Sequence, residues 1–444
     1  MAIRLNKVMN EPVSITPLAG FCVLFGAAML ISTVRFILLG WIDDHYVHPT
    51  FHFSYFGFSW LPVASEGLLY AVHAILLLAS LGVMLGCFYR LATILQFVCF
   101  SYTELLDLTY YLNHYYYVSL ACLLLVFLPA NRAFSLDIAW RNKTAYSLVP
   151  RWMPSALMLM MAIVYTYAGM AKLNTDWLFN ALPLKIWLPA SYDVPMLGSL
   201  FAWKYSPWLF SWIGMIYDCS IVFFLWNRKT RPWAYLSVIL FHSLTGILFQ
   251  IGVFPLVMMA GTLIFFSPSW HERWMNWFQT KNRAVSPIRA FASNSLLRSG
   301  FILFFAFQLL FPWRYLAYPG NVFWTEEGYR FSWRVMLAEK AGTAQFYVSD
   351  GLGGAKGMVD NRRHLNAHQE KQMSYQPDML LQYAQYLNDY YKRDGLKEPV
   401  VTAEVYVTLN GRPSQLLFDP NLNLAEMSDT WSPKTWLNPY PWRN

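Results

Sequence analysis

Apolar residues in this chain gather into long blocks, and the length of those blocks predicts helices that cross a membrane. Nine blocks are legible: Thr16 to Trp41, Gly67 to Phe88, Leu91 to Tyr111, Tyr115 to Pro129, Ala156 to Met170, Trp208 to Trp226, Trp233 to Phe249, Phe254 to Phe266 and Leu297 to Phe311. About 20 apolar residues span the hydrocarbon core as a helix, so the shorter blocks have loose boundaries and one or two could re-enter instead of crossing. The first block follows Arg4 and Lys7, outruns a signal-peptide core and lacks a small-residue cleavage site, which predicts a retained anchor.

Beyond these blocks the periodicity changes. Leu380, Tyr383, Ala384, Leu387 and Tyr391 fall at helical spacing within Asp378 to Tyr391. Val401 to Leu409, the pair Asn410-Gly411, and Gln415 to Phe418 read as a β-hairpin. Ser349 to Lys356 is Gly-rich, but no helix pattern or Lys-Ser/Thr follows in phosphate-loop spacing, so it reads as a turn between strands. The predicted fold is a polytopic α-helical membrane protein with about nine transmembrane helices over residues 1–312 and a soluble C-terminal α+β domain over 313–444. No inverted repeat of the transporter kind is visible.

Composition agrees with lipid as the solvent: 56% of residues are apolar, 18% aromatic and only 13% charged, against about a quarter charged in a soluble domain. The net charge of +8 lies entirely on the membrane part, because the chain from Phe311 onward holds 14 Lys/Arg and 14 Asp/Glu. With the N-terminus inside, fifteen basic residues fall in inner segments, and only Lys172, Lys185 and Lys204 fall in outer loops, with Arg35 snorkelling from the first helix. The count supports nine spans with the tail outside the cytoplasm, and it explains the basic charge without nucleic acid. Cys22, Cys87, Cys99, Cys122 and Cys219 all lie in or beside apolar blocks without a CxxC pair, so they read as small buried hydrophobes and not as a metal or redox motif.

Ionisable groups near a bilayer are costly and are functional candidates by default. Lys172, in YTYAGMAKLNTDW, reads either as an interfacial lysine beside Trp177 or as a desolvated one, in which burial disfavours the ammonium and leaves a neutral amine as general base. His114 follows Asn113 among five tyrosines, and reads either as a structural histidine at a helix start or as part of a polar, aromatic cluster for a quinone. His242 sits mid-block and needs a partner, for which Thr245 and Gln250 are near. No HExxH, GxSxG, dinucleotide fingerprint or Cys/His pairing occurs, which disfavours metal, serine-hydrolase and Rossmann chemistry.

At these same residues the chain resembles the vitamin K-dependent γ-glutamyl carboxylase family, in its bacterial type with a horizontally transferred transmembrane domain. The stretches that carry the resemblance run in family order through both parts: LTYYLNHYYYVSL, YTYAGMAKLNTDWL, FHSLTGILFQIGVFPLVMM, YPGNVFWTEEGYRFSWRVML and VTAEVYVTLNGRPSQLLFDPNLNL. The resemblance implies an enzyme that oxidises vitamin K hydroquinone, or a related quinol, with O2 to the epoxide, with no metal. A strongly basic oxygenated intermediate then removes a glutamate γ-proton, and the carbanion captures CO2. It implies that Lys172 deprotonates the quinol, that His114 is catalytic, and that Asn113, Tyr165, His242, Thr245 and Tyr329 bind the quinone. Asn113, His114, Lys172 and Tyr329 are thereby expected at one outer-leaflet pocket, with His242 left open. The implied setting is a bacterial inner membrane, N-terminus cytoplasmic and tail periplasmic, with lipid, quinone and a glutamate-containing protein as partners. The chain departs from vertebrate members at Ala171, Thr245, Ile247, Ala338 and Lys340. Oxygenation of the quinone without carboxylation, and a non-catalytic membrane carrier or scaffold, are the alternatives.

Overall fold

The structure is a computed structural model that describes residues 7–249, 251–276, 285–286, 295–351 and 356–442. Each of the nine apolar blocks contains an α-helix: α1 Thr16–Leu38, α2 Glu66–Leu85, α3 Tyr89–Leu106, α4 Asn113–Phe127, α5 Trp152–Ala171, α6 Ser206–Trp226, α7 Arg231–Leu248, α8 Phe254–Thr262 and α9 Ser295–Leu310. Five helical segments among the described residues are long and apolar enough to cross a membrane, namely α1, α2, α5, α6 and Leu296–Ala317, which runs through α9. α4 and α8 are apolar but shorter. α3 and α7 dilute their apolar character with Arg90, Gln96 and Glu104, and with Arg231 and His242.

From α1 to α8 each helix packs on its successor, and α8 packs back on α1, so the eight close into a ring. Its core is a continuous apolar cluster in which Phe21, Val83, Cys122, Leu125, Met160 and Leu225 are nearly or fully inaccessible. α9 stands outside this ring, with only 11% of its apolar window buried, the expected state of a helix whose outer face meets lipid. Of the cysteines, Cys22, Cys99 and Cys122 are buried, and Cys87 and Cys219 are partly so.

The third apolar block ends as a helix at Leu106, short of Tyr111, because Asp107 turns extended and its carboxylate accepts from the Thr109 amide and hydroxyl at 2.9 and 2.7 Å. That break makes the corner between α3 and α4 on which the tail docks. His368 bonds the Thr109 carbonyl at 3.0 Å, and Gln369 donates to Asp107 Oδ2 at 2.7 Å and to the Phe51 carbonyl at 2.8 Å.

The tail is an antiparallel sheet with two helices. β1 (Lys340–Asp350), β2 (Gly357–Met358), β3 (Pro399–Leu409) and β4 (Gln415–Leu416) lie in the order β2-β1-β3-β4. β1 and β3 pair along all eleven residues, from Lys340 opposite Leu409 to Asp350 opposite Pro399. Val401, Ala403, Val405 and Val407 alternate inward on β3, as a half-buried strand requires, and meet Tyr383, Ala384 and Leu387 of α11 (Pro377–Arg393), which follows α10 (Ala367–Met373). The predicted helix and hairpin are thus both present, with Asn410 and Gly411 in left-handed conformations at the hairpin turn. The strands flanking the Gly-rich stretch pair with each other, while residues 352–355 of that stretch lie outside the described residues. The tail's core also takes in Phe53, Tyr55 and Leu108 from connections between helices.

Candidate active site

α5 and α6 approach closely because Gly169 has no side chain. A Cβ there would stand 2.6 Å from Cys219 Sγ and 2.7 Å from the Cys219 amide nitrogen, far inside contact distance. The close crossing places Asp218, the lone charged residue of α6, against the last turn of α5. Lys172 caps that turn, and its Nζ lies 2.7 Å from Asp218 Oδ2 and 3.3 Å from the Ala168 carbonyl. The ammonium also lies over the Trp177 ring, 5.2 Å from its centroid. Lys172 and Asp218 retain only 6% and 5% exposure. An ion in such surroundings persists only when it is paired and hydrogen-bonded. Both features weighed in the sequence are present, since Lys172 lies beside Trp177 and is buried, and a carboxylate stands against it.

His242 comes from α7. Its Nε2 lies 2.9 Å from the Tyr165 hydroxyl, while Nδ1 has no partner among the described residues. Thr245 donates to the His242 backbone carbonyl at 3.1 Å and not to the ring. Gln250, the other partner expected, lies outside the described residues. Tyr165, Lys172, Asp218, His242 and Thr245 all line one cavity of about 380 Å³, between walls that are otherwise almost wholly apolar and aromatic. This settles where His242 points: from mid-helix it reaches the same cavity as Lys172.

The tail closes that cavity with Val335 and Met336. The segment leading there is held in rarely populated backbone conformations, with Glu326, Phe331, Trp333 and Met336 at φ of 62°, 59°, 59° and 51°. Non-glycine residues avoid this region, and such a run persists only where its surroundings over-determine it. Here they do. The Tyr111 hydroxyl accepts the Phe331 amide at 2.7 Å, and Asn113 Nδ2 donates to the Arg334 carbonyl at 3.1 Å. Arg330 is clamped between Asp378 and Gln376, and the Trp333 ring is fully buried. Gly328, at φ 77°, leaves room for the Tyr315 backbone, which a Cβ would meet at 2.6 Å.

The expected pocket membership is corrected at three positions. Asn113 supports the closing segment from behind, and does not line the cavity. The His114 ring lies 4.9 Å from Phe254, whose ring is in turn 5.6 Å from His242, so His114 stands one aromatic layer away, with Nε2 unpartnered. Tyr329 packs beside Phe323 and lines no part of this cavity; burial, together with Glu326, holds its hydroxyl above the ordinary tyrosine range. Asp218 was not singled out from sequence, although a lone acid inside an apolar block is itself a signal. Among the described residues no three His, Cys, Asp or Glu side chains gather as metal ligands would.

These features describe a helical membrane protein with a paired acid and base in a largely apolar cavity, capped by a folded tail. Residues 10–270 match the family model described as HTTM domain, and residues 293–443 match the vitamin K-dependent gamma-carboxylase, lumenal domain. The first match covers more than half of the chain, and the chain belongs to the vitamin K-dependent γ-carboxylase family, whose enzymes use vitamin K hydroquinone and carboxylate glutamate in proteins. No solved structure matches the chain.

Proposed function

We propose that this protein oxidises a vitamin K-type hydroquinone with O2 to the epoxide and couples that oxidation to carboxylation of protein glutamate with CO2. The observation that carries the reading is the Lys172–Asp218 pair, buried in an apolar cavity of a size that suits an aromatic ligand. The family's quinol fits this setting: the walls are apolar, His242 Nδ1 has no partner among the described residues, and the Lys172 amine makes two hydrogen bonds to them. When bound, the quinol supplies the electrons that reduce O2. Overall, one quinol, one O2 and one CO2 enter, and one epoxide and one water leave, with a carboxylate gained and a proton lost at the glutamate γ-carbon.

The chain's own part is proton handling and exclusion of water. The pair takes the quinol hydroxyl proton and passes from neutral to singly positive, which balances the quinolate it leaves behind. The Lys172 ammonium stays beside that oxyanion, worth more in a dry cavity than in water. The hydrogen bond between Tyr165 and Nε2 fixes the His242 ring, so that the other nitrogen faces the ligand. Asn113 and His114 act at one remove, through the closing segment and through Phe254, and Tyr329 acts through the conformation of that segment.

In the proposed topology all nine helices cross the membrane, the division into helical and tail domains falls near residue 312, the N-terminus is cytoplasmic and the tail lies outside the cytoplasm, in the periplasm of a bacterial cell. A narrower reading, quinone oxygenation without carboxylation, rests on the departures at Ala338 and Lys340, the second of which is bound to Glu326 and to the Trp324 carbonyl, each at 2.9 Å. One experiment separates the readings. Purified protein receives reduced vitamin K, O2, labelled CO2 and a glutamate-containing peptide. Epoxide with labelled peptide is the expected result, epoxide alone selects the narrower reading, and a folded protein that binds quinone without turnover overturns both.

A further inference from the structure

A second and larger cavity, of about 690 Å³, lies between α3, α4, α9 and the tail. It shares no lining residue with the cavity of Lys172, although both border the closing segment. Its acids are almost all occupied. Glu326 pairs with Lys340 and Asp429 with Lys434, each at 2.9 Å, Asp378 pairs with Arg330, and Glu327 accepts the Lys434 amide at 2.7 Å. Glu104 is the exception. It lines the cavity from the last turn of α3, and among the described residues it has neither a hydrogen bond nor an ion pair.

Arg314 lines the same cavity. Arg314 is anchored by the Phe311 and Arg330 carbonyls and lies over the Phe311 ring at 4.1 Å, yet no described carboxylate pairs with it. A carboxyl and a guanidinium, neither with an ion-pair partner among the described residues, therefore share an aromatic-walled chamber at the edge of the tail. Below them Phe97 of α3 and Phe307 of α9 continue the lining as apolar surface. Phe307 is 48% exposed on a helix that turns most of its surface outward.

We propose that this cavity binds a zwitterionic glycerophospholipid. The ammonium of the headgroup sits at Glu104, where aromatic faces add cation–π attraction, and the phosphodiester takes the remaining donors of Arg314. An acyl chain runs out between α3 and α9 past Phe97 and Phe307. An anionic lipid supplies the phosphate but no ammonium for the Glu104 carboxyl, and a quinone supplies neither group. The site seals the joint between tail and helices independently of the chemistry at Lys172.

The test uses the full chain. Protein stripped of lipid in detergent is given an equimolar mixture of phosphatidylethanolamine and phosphatidylglycerol, and retained lipid is counted by native mass spectrometry. One phosphatidylethanolamine per chain, at least tenfold preferred, is expected. Glu104→Gln should abolish the preference, while Lys172→Ala should leave it intact even though catalysis fails. Equal retention of the two lipids, a preference for phosphatidylglycerol, or displacement of the lipid by added vitamin K overturns the proposal on the wild-type protein alone, whether or not the variant folds.

Discussion

Lys172 and Asp218 lie 46 positions apart in sequence and meet at 2.7 Å, and what either does depends on the other. As a proton-accepting unit they should fail together: Lys172→Met and Asp218→Asn are each expected to lower epoxide formation by at least about 100-fold, with the double variant little worse than either single one. Additive losses in that cycle would mean that the two act separately. Tyr165→Phe leaves His242 Nε2 without its bond, and quinol binding is expected to weaken about tenfold, near 1.4 kcal/mol, with a smaller change in turnover at saturation. From the sequence, Lys172 and His242 were legible as costly groups in apolar surroundings. Their partners were not, because which side chains face each other depends on how adjacent helices are rotated, and that leaves no local signature.

Helices tell a similar story on a larger scale. The helices were readable as long apolar runs, which a backbone buried in lipid demands of the five that are long enough to cross, and the tail hairpin because Asn410-Gly411 fits a left-handed turn. Their approach is another matter. Gly169 looks like any other glycine in an apolar block, yet it fixes the distance between α5 and α6. Gly169→Val should force these helices apart. We expect thermal unfolding to fall by the equivalent of about 1–3 kcal/mol, and activity to fall further than stability, since the Lys172–Asp218 contact opens. A variant of normal activity would show that the close crossing is dispensable.

The whole molecule depends on how the tail is held. Asp176, in the loop after Lys172, accepts two bonds from Arg412 at 2.6 and 2.8 Å and one from Asn410 at 2.8 Å, tying the hairpin turn to the helical part. Burial alone would raise the Asp176 carboxyl, but Arg412 and its neighbours outweigh it and hold the group below the ordinary carboxylate range. Buried Asp378 is likewise held low by Arg330. A carboxyl depressed by folding binds fewer protons folded than unfolded, so its contribution is complete above about pH 4 and drains as pH falls through the folded value. Arg412→Met should remove part of that acid sensitivity and expose the tail to protease at neutral pH.

His45 acts in a different window. Burial, with His368 and His73 nearby, pushes its ring down to about 3, so the unfolded chain binds the extra proton between that value and about 6.5, and stability falls on acidification through that range. His45→Phe keeps the stack on Tyr110, now at 3.8 Å between centroids, and should remove part of the loss there, the rest belonging to other histidines held low, such as His368, while leaving the carboxylate-linked loss below pH 4.

By itself the sequence determined the solvent, the helical blocks, the small α+β tail and the identity of the expensive residues, because each follows from local composition or short-range periodicity. Only the tertiary structure decided that Asp218 meets Lys172, that His242 joins them while His114, Asn113 and Tyr329 stand back, and that Val335 and Met336 close the cavity. Those facts arise from ring closure, from one missing Cβ and from a strained segment braced by distant residues. Contacts of that kind are chosen by packing over the whole molecule, which no window along the chain records.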